Sequence, residues 1–420
     1  MLSDREKERL RSLGRQIREI AELDIQKENK KLWTAVNDGQ MIRPVVIARD
    51  YPVLLLMEGP DAIRPTIEDP YFRQREMEML LTIYEWNHLR GDRVVEPYLN
   101  VPVIAEDTNV GLRMSSYPAQ WTMDPEELHR AYAFERVLWN EEDVSAKIKW
   151  PKVVYRREET MERYEQMCEI MEGIIEIKLF GIQNFRFAMF DDIFAWTTID
   201  QGMTDLVMNP EYLHLAAERY AECFIHRAKQ YEELGLISSN NSNTFIGNGG
   251  YGYCSALPKP TETGIGGSLK DNWGVAQDQI FTSVSPEMTK EFAFDHERAW
   301  TDLYPRIYYG CCERLDHKIE ELGTFPNLKK ISVSPFSDCE AAMEKMGKRY
   351  IVSFKAHNTF INLNPCGYDL LTEELKKVCR LAKRYGSSVE IIMKSIIDLN
   401  HEPQRLWEWC RLASEIVKSY

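Results

Sequence analysis

The chain has 420 residues, 44% of them apolar, enough to bury one large core or two ordinary ones. Its 66 Asp and Glu against 52 Lys and Arg leave a formal net charge of −14, which argues against nucleic acid or an anionic membrane as partner. Nine cysteines, an odd number and mostly isolated, fit a reducing cytoplasm and not a disulfide scaffold. No apolar run approaches the ~20 residues of a membrane span. The charged opening stretch lacks the apolar core of a signal peptide, so a cytoplasmic location is expected.

Leu10, Leu13, Ile17 and Ile20 form one helical stripe, and Ser3 with Glu6 reads as a capping box at its start. Residues 1–42 are therefore expected to be an N-terminal helical extension. Its stripe would pack on its own chain, with a homodimer as the alternative. From residue 43 short β-type runs alternate with longer helical ones. The expected strands are residues 44–47, 53–57, 93–97, 174–179, 244–246, 306–309, 330–333, 350–354 and 389–393. Asn209-Pro210-Glu211 and Ser285-Pro286-Glu287 open two of the intervening helices, since proline is welcome at the first helical position and an acid there complements the dipole. Strands separated by such helices argue for βαβ units, and their number fits an α/β fold built as a (β/α)8 TIM barrel over residues 43–420. Residues 240–278, rich in Asn, Gly and Pro, read as a lid-like insertion.

In such a barrel the chemistry sits at the C-terminal strand ends. Those ends carry Cys311, Cys312 and Glu313, then Lys355 and His357, then Asn364, and finally Lys394. Thiolates, a histidine and a carboxylate make a workable zinc set, with Cys311, Cys312 and His357 as the ligands. Adjacent residues of an extended backbone point to opposite sides, so only one of the two cysteines is expected to face the site. Lys394 and Glu313 are the candidate catalytic groups. Tyr251, Tyr253 and Trp273 in the insertion, with Asn364, are candidates for substrate binding. Asp191-Asp192 reads either as an acid/base pair or as a helix cap. The stretch Gly247-Asn248-Gly249-Gly250-Tyr251-Gly252 lacks the residues and spacing of a phosphate or dinucleotide loop. No GxSxG elbow occurs.

Several pieces, taken in order, resemble the uroporphyrinogen decarboxylase superfamily. They are Val94-Val95-Glu96-Pro97 with Val101-Pro102-Val103-Ile104, then Asn209-Pro210-Glu211, then Ser285-Pro286-Glu287-Met288 with Phe292. Lys330-Ile331-Ser332-Val333 and residues 353–365 follow. The early Arg-rich signature by which true decarboxylases grip substrate carboxylates is absent from Pro44-Val45-Val46-Ile47-Ala48-Arg49-Asp50. The resemblance is thus closer to the corrinoid-dependent methyltransferase branch. It implies a small methylated substrate, a separate corrinoid carrier protein as partner, and zinc held in part by Cys311 or Cys312. The histidine and the later cysteine of that branch's zinc set have no counterpart here. The alternatives are a metal-independent decarboxylase-like lyase using Lys355, Lys394 or Arg306 as an anion grip, and a non-catalytic barrel that binds a tetrapyrrole or a partner.

Overall fold

A computed structural model describes residues 2–59, 61–113 and 134–420. Among the described residues the strands in chain order are β1 (Val45–Ala48), β2 (Tyr98–Pro102), β3 (Ala105–Asp107), β4 (Val153–Tyr155), β5 (Glu176–Phe180), β6 (Trp273–Ala276), β7 (Arg306–Tyr309), β8 (Leu328–Val333), β9 (Ile351–Lys355) and β10 (Val389–Met393). Six of them form one parallel sheet in the order β1-β10-β9-β8-β7-β6. β2 pairs in parallel with β5, and β3 pairs antiparallel with β4. The fold is mixed α/β around a parallel central sheet.

The sheet's two faces are chemically distinct because side chains alternate along each strand. Val46, Ala48, Ala276, Ile307, Tyr309, Ile331, Val333, Val352, Phe354, Ile391 and Met393 join the large apolar core shared with the helices. The opposite face carries Val45, Ile47, Trp273, Val275, Tyr308, Ile351 and Ile392, and between them Lys330, Ser353, Lys355, Glu390 and Lys394. Lys330 Nζ meets Glu390 Oε2 at 2.6 Å, and neither side chain is exposed. Buried charges persist only when paired, and this pair is further satisfied by Ser353 Oγ on Glu390 at 2.5 Å.

The N-terminal stripe packs on its own chain. Leu10, Leu13 and Ile17 of the first helix, α1 (Asp4–Ala21), join Phe72, Met79, Met167 and Met171 in one buried cluster. The Ser3–Glu6 capping box is present. The next helix, α2 (Ile25–Asn37), lies across the N-terminal side of the sheet. Its Trp33 Nε1 donates to Asp92 O at 2.7 Å, and Asn37 Nδ2 donates to both Tyr251 O and Tyr253 O at 2.8 Å.

Several sequence expectations change. Residues 53–57 form not a strand but a 3-10 turn, Val53–Leu56. A strand expected at 93–97 begins instead at Tyr98, and 244–246 contributes only an isolated bridge between Phe245 and Tyr251. The expected lid at 240–278 contains strand β6, and its first half is an internal plug. A Cβ on Gly249 would sit 2.5 Å from Glu390 Oε1, and one on Gly250 would sit 2.2 Å from Trp33. That close approach is what the glycines permit.

Candidate active site

A cavity of about 1540 Å³ opens at the C-terminal ends of the sheet strands. Arg49 follows β1, Gln277 follows β6, Cys311 and Cys312 follow β7, and Lys394 follows β10; all line it. Asn184, Arg186, Asp191, Phe245 and Asn248 also line it.

A turn places the two thiols. Gly310 takes φ 102, a left-handed conformation that glycine adopts without strain. The backbone beyond it is pinned: Glu313 Oε2 accepts from Cys311 N at 2.7 Å, and Ser332 Oγ donates to Cys311 O at 2.6 Å. Because Cys311 and Cys312 lie on this turn and not on an extended strand, strand alternation does not apply. Both line the cavity, with their Sγ atoms 3.5 Å apart, where one alone was expected to face it.

Lys394 Nζ lies 3.6 Å from Cys311 Sγ and 3.9 Å from Cys312 Sγ. It also donates to Asn248 Oδ1 at 2.7 Å and lies 3.7 Å from Asp50. Burial works against its charge, but Cys311, Cys312 and Asp50 outweigh it and hold the ammonium above its ordinary range. The hydrogen bond from Cys311, then Lys394 and Lys355, bring the Cys312 thiol down to about 6 against the burial penalty. The same hydrogen bond, with burial, pushes Cys311 up. The pair thus shares one proton, and its surroundings favour the negative charge on Cys312.

Two further networks border these groups. Asn248 Nδ2 donates to Gln277 Oε1 at 2.7 Å, and Gln277 Nε2 donates to Asp191 Oδ2 at 3.2 Å, so one chain of side chains runs from Lys394 to Asp191. Burial pushes Asp191 up to about 6. Beneath the cavity Lys355 Nζ donates to Ser353 Oγ at 2.6 Å and lies 3.2 Å from Tyr308 Oη. Burial brings it down to about 7 although Glu390 opposes this.

The other sequence candidates scatter. Glu313 sits directly behind the thiols, buried, and burial pushes it up to about 7. The His357 ring stacks on Phe360 with centroids 4.4 Å apart, and its Nδ1 is 2.6 Å from Thr359 Oγ1; it is not part of the cavity wall. Asn364 is exposed and precedes a cis proline. Tyr251, Tyr253 and Trp273 are buried core residues: Tyr251 packs on Trp33 and Phe245, Tyr253 Oη meets Glu96, and Trp273 Nε1 donates to Gly252 O. Arg306 stacks on Trp273 at the opposite end of its strand from the cavity. Of the aromatic residues near the glycine-rich stretch, Phe245 is the one that reaches the cavity, under the Arg49 guanidinium at 4.1 Å. Arg49, Asn248 and Gln277 were missed. The strand-end rule would have found Gln277 had β6 been recognised.

Among the described residues, no group of three or more His, Cys, Asp or Glu side chains is placed to hold a metal ion. A catalytic zinc takes three protein ligands. The two thiols supply two, and His357 does not join them, so these residues do not fit zinc.

No family model matches the chain, and no curated protein matches it. Among solved structures, a methyltransferase from Methanosarcina mazei aligns over 92% of this chain and 98% of its own, with a TM-score of 0.45 and 11% sequence identity. A likeness that loose carries no functional argument. No helix among the described residues is long and apolar enough to cross a membrane.

Proposed function

We propose that the chain is a methyltransferase that takes a methyl group from a small donor in the cavity and passes it to a corrinoid on a separate carrier protein at the mouth. The observation that carries this reading is the Lys394 ammonium held between two thiols and Asn248 in the wall of the large cavity. Methyl transfer from a donor R–X–CH3 breaks the X–C bond, and its electron pair leaves with X. Lys394 Nζ is the proton source for X as the acceptor–carbon bond forms, which yields R–XH. The Cys312 thiolate and Asp50 keep Lys394 charged for that step, the Asn248–Gln277–Asp191 chain holds it in place, and bulk solvent entering the cavity recharges it afterwards. The corrinoid supplies the nucleophile. The same reading takes the sheet to close as a (β/α)8 barrel. The β2–β5 pair, the Ile182–Ile237 bridge and the bond from Gln277 N to Phe187 O beyond β6 support this closure.

The test supplies free cob(I)alamin as acceptor and donors of four classes: methanol, methylamines, methyl thioethers and methyl aryl ethers. Methylcobalamin should form with one class, and Lys394→Met should slow it by about 100-fold or more. Absence of methylcobalamin with every class would overturn the reading. A lyase remains the second reading, favoured by Arg49, Arg113 and Arg186 in the same wall. Its signature is carbon dioxide released from a small carboxylic acid.

A further inference from the structure

The neighbouring thiols have a chemistry that methyl transfer does not use. Their sulfurs are 3.5 Å apart and unbonded, and both line a cavity wide enough to admit small solutes. Lys394 faces both sulfurs. Of the other seven cysteines, Cys223, Cys254, Cys379 and Cys410 are buried, and Cys168, Cys339 and Cys366 are half-buried and stand apart in sequence.

We propose that Cys311 and Cys312 form a site of reversible oxidation by hydroperoxides, with Cys312 as the attacking sulfur and Cys311 as the resolving one. In the first step the Cys312 sulfur attacks one peroxide oxygen. An S–O bond forms, the O–O bond breaks, and the departing hydroxide (alkoxide, for an organic hydroperoxide) takes a proton from Lys394, which solvent recharges, to become water or an alcohol. In the second step the Cys311 sulfur attacks the Cys312 sulfenic acid. An S–S bond forms, the S–O bond breaks, and the hydroxyl leaves as water with the Cys311 proton. Two thiols are oxidised by two electrons and one hydroperoxide is reduced.

The geometry favours the second step, since the sulfurs need close only from 3.5 Å to about 2.05 Å. The low titration of Cys312 supports its role in the first. Consecutive Cα atoms lie about 3.8 Å apart, below the ordinary disulfide range of about 4.4–6.8 Å. The closed ring is therefore strained and easily reduced, which suits a reversible modification and not a structural staple.

The test treats the anaerobic, reduced protein with one equivalent of hydrogen peroxide and follows intact mass, free thiols and the peptide containing both residues. The expected product is about 2 Da lighter. It has two fewer free thiols, carries the link between Cys311 and Cys312, and reverts with dithiothreitol. Cys311→Ser should stop at a sulfenic acid on Cys312 that dimedone traps. Cys312→Ser should leave Cys311 unoxidised at the same dose. Thermal melts that match wild type establish that both variants fold. Two results would overturn the proposal: thiols lost at other cysteines first, or a Cys311→Ser protein that loses the same two thiols as wild type.

Discussion

Removing the Lys394 charge tests the electrostatic core of the site. In Lys394→Met the stem volume is kept and the ammonium is lost. The structure sets the magnitude: at 3.9 Å and an effective dielectric of about 20, two unit charges interact by 332/(20 × 3.9), or about 4 kcal/mol. That corresponds to about three pH units in the Cys312 titration as an upper bound, since each unit is about 1.4 kcal/mol. The Cys311 hydrogen bond and Lys355 still favour the thiolate, so the expected rise is about two units. The assay is the rate of iodoacetamide labelling at Cys312 against pH, read on the isolated peptide. Wild type should show its midpoint near about 6. A midpoint in Lys394→Met within about 0.5 pH unit of wild type, with an unchanged near-ultraviolet spectrum, would refute the coupling and with it the role given to Lys394.

Glu390→Ala leaves the Lys330 ammonium buried without a partner and should cost about 3–5 kcal/mol in urea unfolding; a loss below about 1 kcal/mol would mean that water reaches the pair. Glu297 is fully buried, and burial pushes its carboxyl up to about 8. The folded state therefore keeps a proton that the unfolded chain has released near its ordinary 4.5, so stability falls as pH rises between those values. Asp191 and Glu313 add to the same fall, so Glu297→Gln should make the decline of the melting temperature across that window shallower without abolishing it, and an unchanged slope would contradict the assignment. In Gly252→Ala the new Cβ would lie 1.9 Å from Asn240 O, so the plug must shift, at about 1–3 kcal/mol in chemical denaturation.

The strands from Arg306 onward were legible because their periodicity and flanking helix signals agree, and β7 to β10 lie within two residues of their expected positions. β6 was not legible. Trp273-Gly274-Val275-Ala276 is short and contains a glycine, and it follows a long irregular stretch. Its burial on both faces depends on Tyr304 filling the space over Gly274. Val53–Leu56 failed for the opposite reason, because a short apolar run after a proline has no period to separate a strand from a helical turn. The site was half legible. Cys311, Cys312 and Lys394 were reached by asking which residues end a strand. Arg49, Asn248 and Gln277 needed knowledge of how a loop threads the interior.

That threading shows why the Asn-rich stretch reads as an exposed lid and folds as a plug. A buried loop must satisfy every backbone group without a ladder. Here asparagine side chains do it. Asn241 Nδ2 reaches Cys254 O, Leu257 O and Pro258 O, while Asn240 Nδ2 reaches Trp273 O and its Oδ1 accepts from Trp273 N. Composition that looks solvated is therefore the means by which the segment enters the interior. The same segment delivers Asn248 to Lys394 and brings Gly250 N to Glu390 Oε1 at 3.0 Å. It touches two charged residues, Glu390 on β10 at the buried Lys330 pair and Lys394 just beyond β10 at the thiols. A change that loosens the plug should act on both, lowering stability through Glu390 and raising the Cys312 titration through Lys394. Gly252→Ala examined by iodoacetamide labelling joins the two effects. If stability falls while the Cys312 midpoint stays near its wild-type value, the plug supports the fold but does not position Lys394.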